Sequence, residues 1–267
     1  MKKYKFGVLG AGNMGTAIAE GAVRAGRFAP EQVLMFNRSE EKRAAHAAKA
    51  TPSRATIPRS TQKARSCCWL SSRRISTKSC RIRRNMKGRS RLSYPCRRRD
   101  LRQAGGCARR GHRNDRVMPN TPLMLGEGAT QLVKNAAATD KQLSELCELF
   151  NTMGVTVTFE QENMLNEVIP YAGSAPAYLY AYADAFVQSA KQHGINEDDA
   201  LALICQTMIG SAKMLLRRDK TPAELIRAVC SPGGTTIEGM KVLEDRDLYG
   251  IVSEACDKCI KRAYELG

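Results

Sequence analysis

The chain has 267 residues and a formal net charge of +17, enough length for one large or two modest domains, each with its own core. A surplus of that size ordinarily points to a polyanionic partner. Here 20 of the 43 Lys and Arg, against 2 of the 26 acids, fall within residues 51–115, and the rest of the chain is nearly neutral, so the global charge says little about the flanks. No uninterrupted apolar run approaches the length of a membrane span. The opening "MKKYKFGVLGAG" reaches glycines before a signal-peptide apolar region develops. A cytoplasmic protein without a membrane partner is expected.

Residues 4–26, "YKFGVLGAGNMGTAIAEGAVRAG", read as a short apolar strand, a glycine turn and an Ala-rich amphipathic helix closed by Gly26. Gly10, Gly12 and Gly15 have the G-x-G-x-x-G spacing. The first permits a tight turn, the second lets backbone approach a pyrophosphate, and the third brings helix and strand together. The turn residues Gly10, Ala11, Gly12, Asn13, Met14 and Gly15 thus form a candidate dinucleotide-phosphate site at a helix N-terminus. The next strand lies in "QVLMFNRSEEK", residues 32–42. Where an NAD-specific fold places an acid for the ribose hydroxyls, this chain has Asn37, Arg38 and Ser39. Arg and hydroxyl donors suit a 2′-phosphate, which an acid would repel, so NADP is favoured.

Residues 51–115 interrupt this pattern. They hold the only Trp and five of the ten Cys, in strings such as "CCWLSSRRISTKSCR", residues 67–81. Beyond Arg116 the balance returns. "RVMPNTPLMLGEGATQLVKN" reads as strand, loop and strand; "TDKQLSELCELFNTMG" is a capped helix and "VTVTF" a short strand. After about Glu160 strand signals stop, and residues 175–266 read as five successive helices. The expected architecture is α/β: a Rossmann-like nucleotide-binding domain over 1–158, then an all-α dimerisation and substrate domain over 159–267. Minor signals yield to plainer readings. Cys256-x-x-Cys259 lies inside a helix without a second pair, which makes it a packing feature rather than zinc. Tyr178, Tyr180 and Tyr182 alternate on a helix and read mostly as packing residues. No metal site is expected.

With these residues in view, the chain resembles pyrroline-5-carboxylate reductase over about 1–50 and 116–267. "GVLGAGNMGTAIAEG", "RVMPNTP", "GEGAT", "GSAPAY" and above all "SPGGTTIEGMKVLE" carry the resemblance. Ala175 departs from the family's more usual Gly or Ser. The resemblance implies hydride transfer from NADPH, sometimes NADH, to a five-membered cyclic imine bearing a carboxylate, which yields proline. It implies that Thr236 is the catalytic hydroxyl that hydrogen-bonds the ring nitrogen. Gly233 and Gly234 would hold the substrate carboxylate at a helix start, with Ser231 and Thr235 lining the same pocket. It places Asn120 of the Pro-Asn-Thr-Pro loop in the cofactor site. It also implies a homodimer or a ring of dimers.

The family should continue its parallel sheet through 51–115, with an Ala-Val-Lys-Pro cofactor loop near Leu70 to Arg73. Read literally, that is absent. If each codon takes the last base of its predecessor, Cys68 and Trp69 both become Leu whatever codons encode them. Permitted codons then let 67–81 reread as "VLLAVKPQDFDKVLP" and "LSYPC", residues 92–96, as "VVISV". A further step of the same sign lets "CRRRD", residues 96–100, yield "AAGVT", and a third restores frame by about Arg116. The segment therefore reads as misphased translation, and its literal side chains are expected to be too charged to rebuild the central strands. Two other functions compete. A nucleic-acid-binding protein would use the Arg-rich segment, although Trp69 and Tyr94 make a poor stacking platform. An NADP-dependent dehydrogenase of β-hydroxyacid type would use Lys213 as general base.

Overall fold

The computed structural model describes residues 6–9, 13–36, 44, 53–54, 66–69, 90–93, 115–133 and 139–266. The chain folds as two compact units, residues 1–173 with 260–267, and residues 174–259.

The first unit is built on an eight-stranded sheet. Its strands are β1 Phe6–Leu9, β2 Val33–Phe36, β3 Ser53–Arg54, β4 Ser66–Trp69, β5 Ser90–Ser93, β6 Asp115–Pro119, β7 Gly128–Val133 and β8 Gly154–Phe159. They lie in the order β3-β2-β1-β4-β5-β6-β7-β8. All neighbours pair in parallel except β6 and β7, which run antiparallel with Val117 opposite Leu132. Order 3-2-1-4-5-6 is that of the Rossmann sheet, in which the chain reverses direction between β1 and β4.

Helices α1, Asn13–Arg24, and α2, Asp140–Asn151, cover one face of the sheet. Ala17, Ile18 and Ala22 of α1 pack with Leu146, Leu149 and Phe150 of α2 against Phe6, Val8, Met35, Val117 and Leu132. The i, i+3, i+4 spacing places these side chains on one stripe of each helix. Thr139 begins α2 with a capping box: its hydroxyl accepts from the Gln142 amide, and Gln142 Oε1 accepts from the Thr139 amide at 3.0 Å. On the opposite face two one-turn helices that the periodicity did not announce, α3 Met164–Glu167 and α4 Ile169–Ala172, set Leu165 against Met118 and Val133.

One expectation is corrected. The literal 51–115 does enter the sheet: β3, β4 and β5 lie there, β4 registered with β1 through Cys67 opposite Gly7. Backbone N–H and C=O groups pair irrespective of side chain, and β1 and β6 offer paired edges on either side. Among the described residues one helix, Glu197–Arg217, is long and apolar enough to cross a membrane by length and composition, with Gln206, Thr207 and Lys213 interrupting its apolar residues.

The second unit consists of α5 Ala175–Gln192, α6 Glu197–Arg217, α7 Pro222–Val229, α8 Thr235–Asp245 and most of α9 Leu248–Leu266, the five helices anticipated. Asn196 caps α6 by accepting from the Asp198 and Asp199 amides. His193 and Gly194 end α5, the glycine at φ +71°. Among its described residues this unit buries only Ala183, Val187 and Ala200. Tyr178, Tyr180 and Tyr182 are exposed rather than packed within the chain, although Tyr182 meets Phe186 edge to face at 5.1 Å.

Candidate functional site

Strand β1 ends at Leu9, and α1 begins at Asn13, so the glycine turn joins a central parallel strand to a helix N-terminus. The carboxyl ends of β1, β2 and β4 are level, because Leu9 is registered with both Phe36 and Trp69. In a doubly wound sheet a dinucleotide binds where strand order reverses, here between β1 and β4, with phosphates on the helix N–H groups. Met14 is half-buried and Gly15 buried in the first turn of α1. Gly10, Ala11, Gly12, Asn37, Arg38, Ser39 and the stretch from Leu70 to Arg73 lie outside the described residues, as does the side chain of Asn13. The strand ends place three of those stretches in sequence: 10–12 directly follow β1, 37–39 follow β2, and 70–73 follow β4.

Asn120 is buried at the end of β6, just before a 3₁₀ turn over Thr121–Leu125. Its Oδ1 accepts from the Ala129 amide at 2.9 Å, and its Nδ2 donates to the Ala172 carbonyl at 3.3 Å. One carboxamide thus joins the Pro-Asn-Thr-Pro loop to the start of β7 and the end of α4. One N–H and one lone pair are left over for any other partner. Both anchors are backbone groups far away in sequence, and nothing in the local residue pattern signals them. Asn120→Ala should destabilise the first unit by about 1–3 kcal/mol, because the buried Ala129 N–H loses its acceptor. Thermal unfolding of the variant checks this.

In the second unit the SPGGTT stretch is a turn leading into α8. Thr221 opens the preceding α7 with a capping box, accepting from the Glu224 amide while Glu224 accepts from its own N–H at 2.7 Å. That backbone hydrogen bond, first, and the Thr221 hydroxyl, second, hold the Glu224 carboxyl below its ordinary pKa. After Cys230 the Gly234 amide donates to the Ser231 carbonyl at 3.0 Å, and Gly233 sits at φ +70°, a region in which side chains are strained. Gly234 is the N-cap of α8; a Cβ there would lie 2.4 Å from Ser231 Oγ. Ser231, Gly233, Thr235 and Thr236 are exposed around this turn. The first N–H groups of α8 have no intrahelical acceptor, and with the three hydroxyls they form a donor-rich, exposed cradle suited to a carboxylate. The one acid in the first turn, Glu238, is paired with Lys241 at 2.6 Å.

The cradle and the glycine turn belong to different units. Of the proposed substrate residues, the structure brings Ser231, Gly233, Gly234, Thr235 and Thr236 onto one turn. Lys213 is exposed on α6. Among the described residues no three His, Cys, Asp or Glu side chains are grouped to hold a metal ion.

Comparison with known proteins follows the same division. Residues 162–266 match the family model for pyrroline-5-carboxylate reductase dimerisation, and residues 5–67 match that for NADP oxidoreductase, coenzyme F420-dependent. Pyrroline-5-carboxylate reductase of Escherichia coli (strain K12) is 35% identical over 151 residues, covering 57% of this chain and 56% of that protein. The chain therefore spans little more than half the length of that relative. The Methanosarcina acetivorans reductase is 27% identical over 271 residues, covering 100% of this chain and 99% of its own. Two solved structures share the fold. A pyrroline-5-carboxylate reductase from Coxiella burnetii has a TM-score of 0.87 at 24% identity, over 99% of both chains. Plasmodium falciparum pyrroline carboxylate reductase with NADP bound has 0.85 at 21%, over 100% of this chain and 99% of that one. The fold is a Rossmann-like domain, similar over residues 5–67 to an NADP oxidoreductase domain, followed by a helical one. Residues 162–266 are similar to the pyrroline-5-carboxylate reductase dimerisation domain, and the chain shares the fold of the solved reductases.

Proposed function

We propose that this chain reduces 1-pyrroline-5-carboxylate to L-proline with NADPH, acting in the cytoplasm as a homodimer or a ring of dimers. The observation that carries the reading is the exposed Ser231–Thr236 cradle at the head of α8, within the stretch that matches the reductase dimerisation family. NADPH, when bound, supplies the hydride. The residues from Gly10 to Gly15 would hold its pyrophosphate and Asn37, Arg38 and Ser39 its 2′-phosphate, which fits a glycine turn leading from β1 into α1 at the strand-order reversal. The amides of Gly233 and Gly234 and the hydroxyls of Ser231 and Thr235 hold the substrate carboxylate, while Thr236 hydrogen-bonds the ring nitrogen. A protonated imine is already electrophilic, so these groups act by orientation, and no acid–base residue is needed.

Self-association is supported by the second unit, which leaves Leu179, Tyr180, Leu203, Leu216 and Ile251 each at least half exposed; apolar surface on this scale marks an interface. Within this reading 51–115 is misphased translation rather than a nucleic-acid site. The strands Ser66–Trp69 and Ser90–Ser93 support it, since they overlap the stretches that reread as "VLLAVKP" and "VVISV". The 151 residues aligned with the E. coli protein equal in length the stretch 116–266.

The experiment is steady-state reduction of the cyclic imine by Thr236→Val. A hydrogen bond to a charged partner is worth about 1.5–3 kcal/mol, so kcat/KM should fall about 10–100-fold. The melting temperature should stay put, because Thr236 is exposed, and Thr235→Val should have the smaller kinetic effect. An unchanged kcat/KM would remove Thr236 from the site.

A further inference from the structure

Cys256 and Cys259 lie one turn apart on α9, so their side chains share a face, with Cβ atoms about 5–6 Å apart. That face meets the start of α5. Ser174 Oγ lies 3.3 Å from Cys259 Sγ, and Tyr178 lies one turn further along α5. All four residues belong to the second unit, and both thiols are half-buried. A hydroxyl therefore meets one sulfur, with a second sulfur one helical turn away. Desolvation, first, and the neighbouring Cys259, second, hold the Tyr178 phenol above its ordinary pKa.

We propose that Cys259 and Cys256 form a peroxide-sensitive dithiol, with Cys259 the attacking and Cys256 the resolving thiol. The Cys259 thiolate attacks one oxygen of a hydroperoxide. The O–O bond breaks, the corresponding alcohol or water leaves with a proton, and Cys259 becomes a sulfenic acid. The Cys256 sulfur then displaces hydroxide from Cys259, which departs as water with the Cys256 proton. The dithiol loses two electrons, and the hydroperoxide gains them. A disulfide needs Cβ atoms about 3.8 Å apart, closer than successive turns allow, so closing it opens one turn of α9. A link under that constraint is readily reduced, as labile regulatory disulfides are.

The test treats the full chain with hydrogen peroxide and maps its cysteines by mass spectrometry. Cys205, exposed on α6, is the internal control. Cys259 should react about tenfold faster than Cys205, a ratio that Ser174→Ala should reduce. The product should be a Cys256–Cys259 link that dithiothreitol reverses, with raised hydrogen exchange confined to the surrounding turn of α9. In Cys256→Ser, whose basal activity should match the parent, Cys259 should stop as a sulfenic acid that dimedone traps. Should a variant fail to fold, the unmodified chain still decides through the link and the exchange. Oxidation of Cys205 ahead of Cys259, or a Cys259 that overoxidises while Cys256 stays reduced in the parent chain, overturns the proposal.

Discussion

A gene corrected by three single-base changes of one sign, so that 51–115 is read in the shifted frame, should encode a protein melting about 10 °C higher than the literal chain. Its NADPH-dependent imine reduction should be about 100-fold faster or more. The thermal shift follows from where the strands lie. β4 and β5 sit between β1 and β6 in the parallel part of the sheet, and interior parallel strands are normally covered on both faces. In the literal chain Arg91 stands within β5, registered with Cys67, and a charged residue suits an interior parallel strand less well than an apolar one. Val and Leu there would each contribute about 1.5–3 kcal/mol of burial instead. A gain of roughly 3–5 kcal/mol at about 2–4 °C per kcal/mol gives a shift of that size.

The kinetic gain follows from register. Trp69 ends β4 in register with Leu9, the last residue of β1, and the expected cofactor loop follows it directly in sequence. In the shifted frame that position carries Ala-Val-Lys-Pro; in the literal frame it carries Leu70, Ser71, Ser72 and Arg73. Misplacing a cofactor-holding loop by about 1 Å is enough for a 100-fold loss. Calorimetry and turnover of the two proteins side by side give the answer. A corrected protein no more stable and no more active than the literal one would end the misphasing reading, as would genomic DNA read without interruption in the literal frame from an organism whose enzyme is active.

Gly154→Ala should be the most damaging single substitution in the flanks, destabilising the chain by about 3–5 kcal/mol. Gly154 has φ +139° and begins β8 directly beside Gly128, the first residue of β7. A Cβ at 154 would lie 1.9 Å from the Gly128 carbonyl oxygen and 2.4 Å from its nitrogen. Both obstacles are backbone, and neither can rotate away. Gly128 itself is held by donating its N–H to the Met153 carbonyl at 2.9 Å. Moving it would drag Ala129, whose amide is the anchor of Asn120. The variant should therefore melt roughly 6–20 °C lower. Survival of Gly154→Ala within a degree or two of the parent would show that this crossing is looser than its geometry. The comparison with Asn120→Ala is informative, because that variant keeps the backbone crossing and removes only the amide bridge.

Much of the molecule was legible from residue order because its signals are local. The strand and Ala-rich helix at the amino end, the capping box at Thr139, the end of α5 at His193 and Gly194, and the five long helices all depend on neighbours within about four residues. So does the Ser231–Gly234 turn, whose glycines answer to a positive φ and to the Ser231 hydroxyl three residues back. What residue order could not supply was long-range pairing. The single antiparallel join between β6 and β7 and the facing of Gly128 and Gly154 depend on strands brought together by the whole sheet. The attachment of Asn120 to Ala129 and Ala172, and of Cys259 to Ser174 across 85 residues, depends on packing. Residue order, then, determined which stretches become strands, helices and turns and which residues form the cradle. The folded chain alone decided what Asn120 and Cys259 touch, because a hydrogen bond between distant residues exists only once the elements carrying them have been packed.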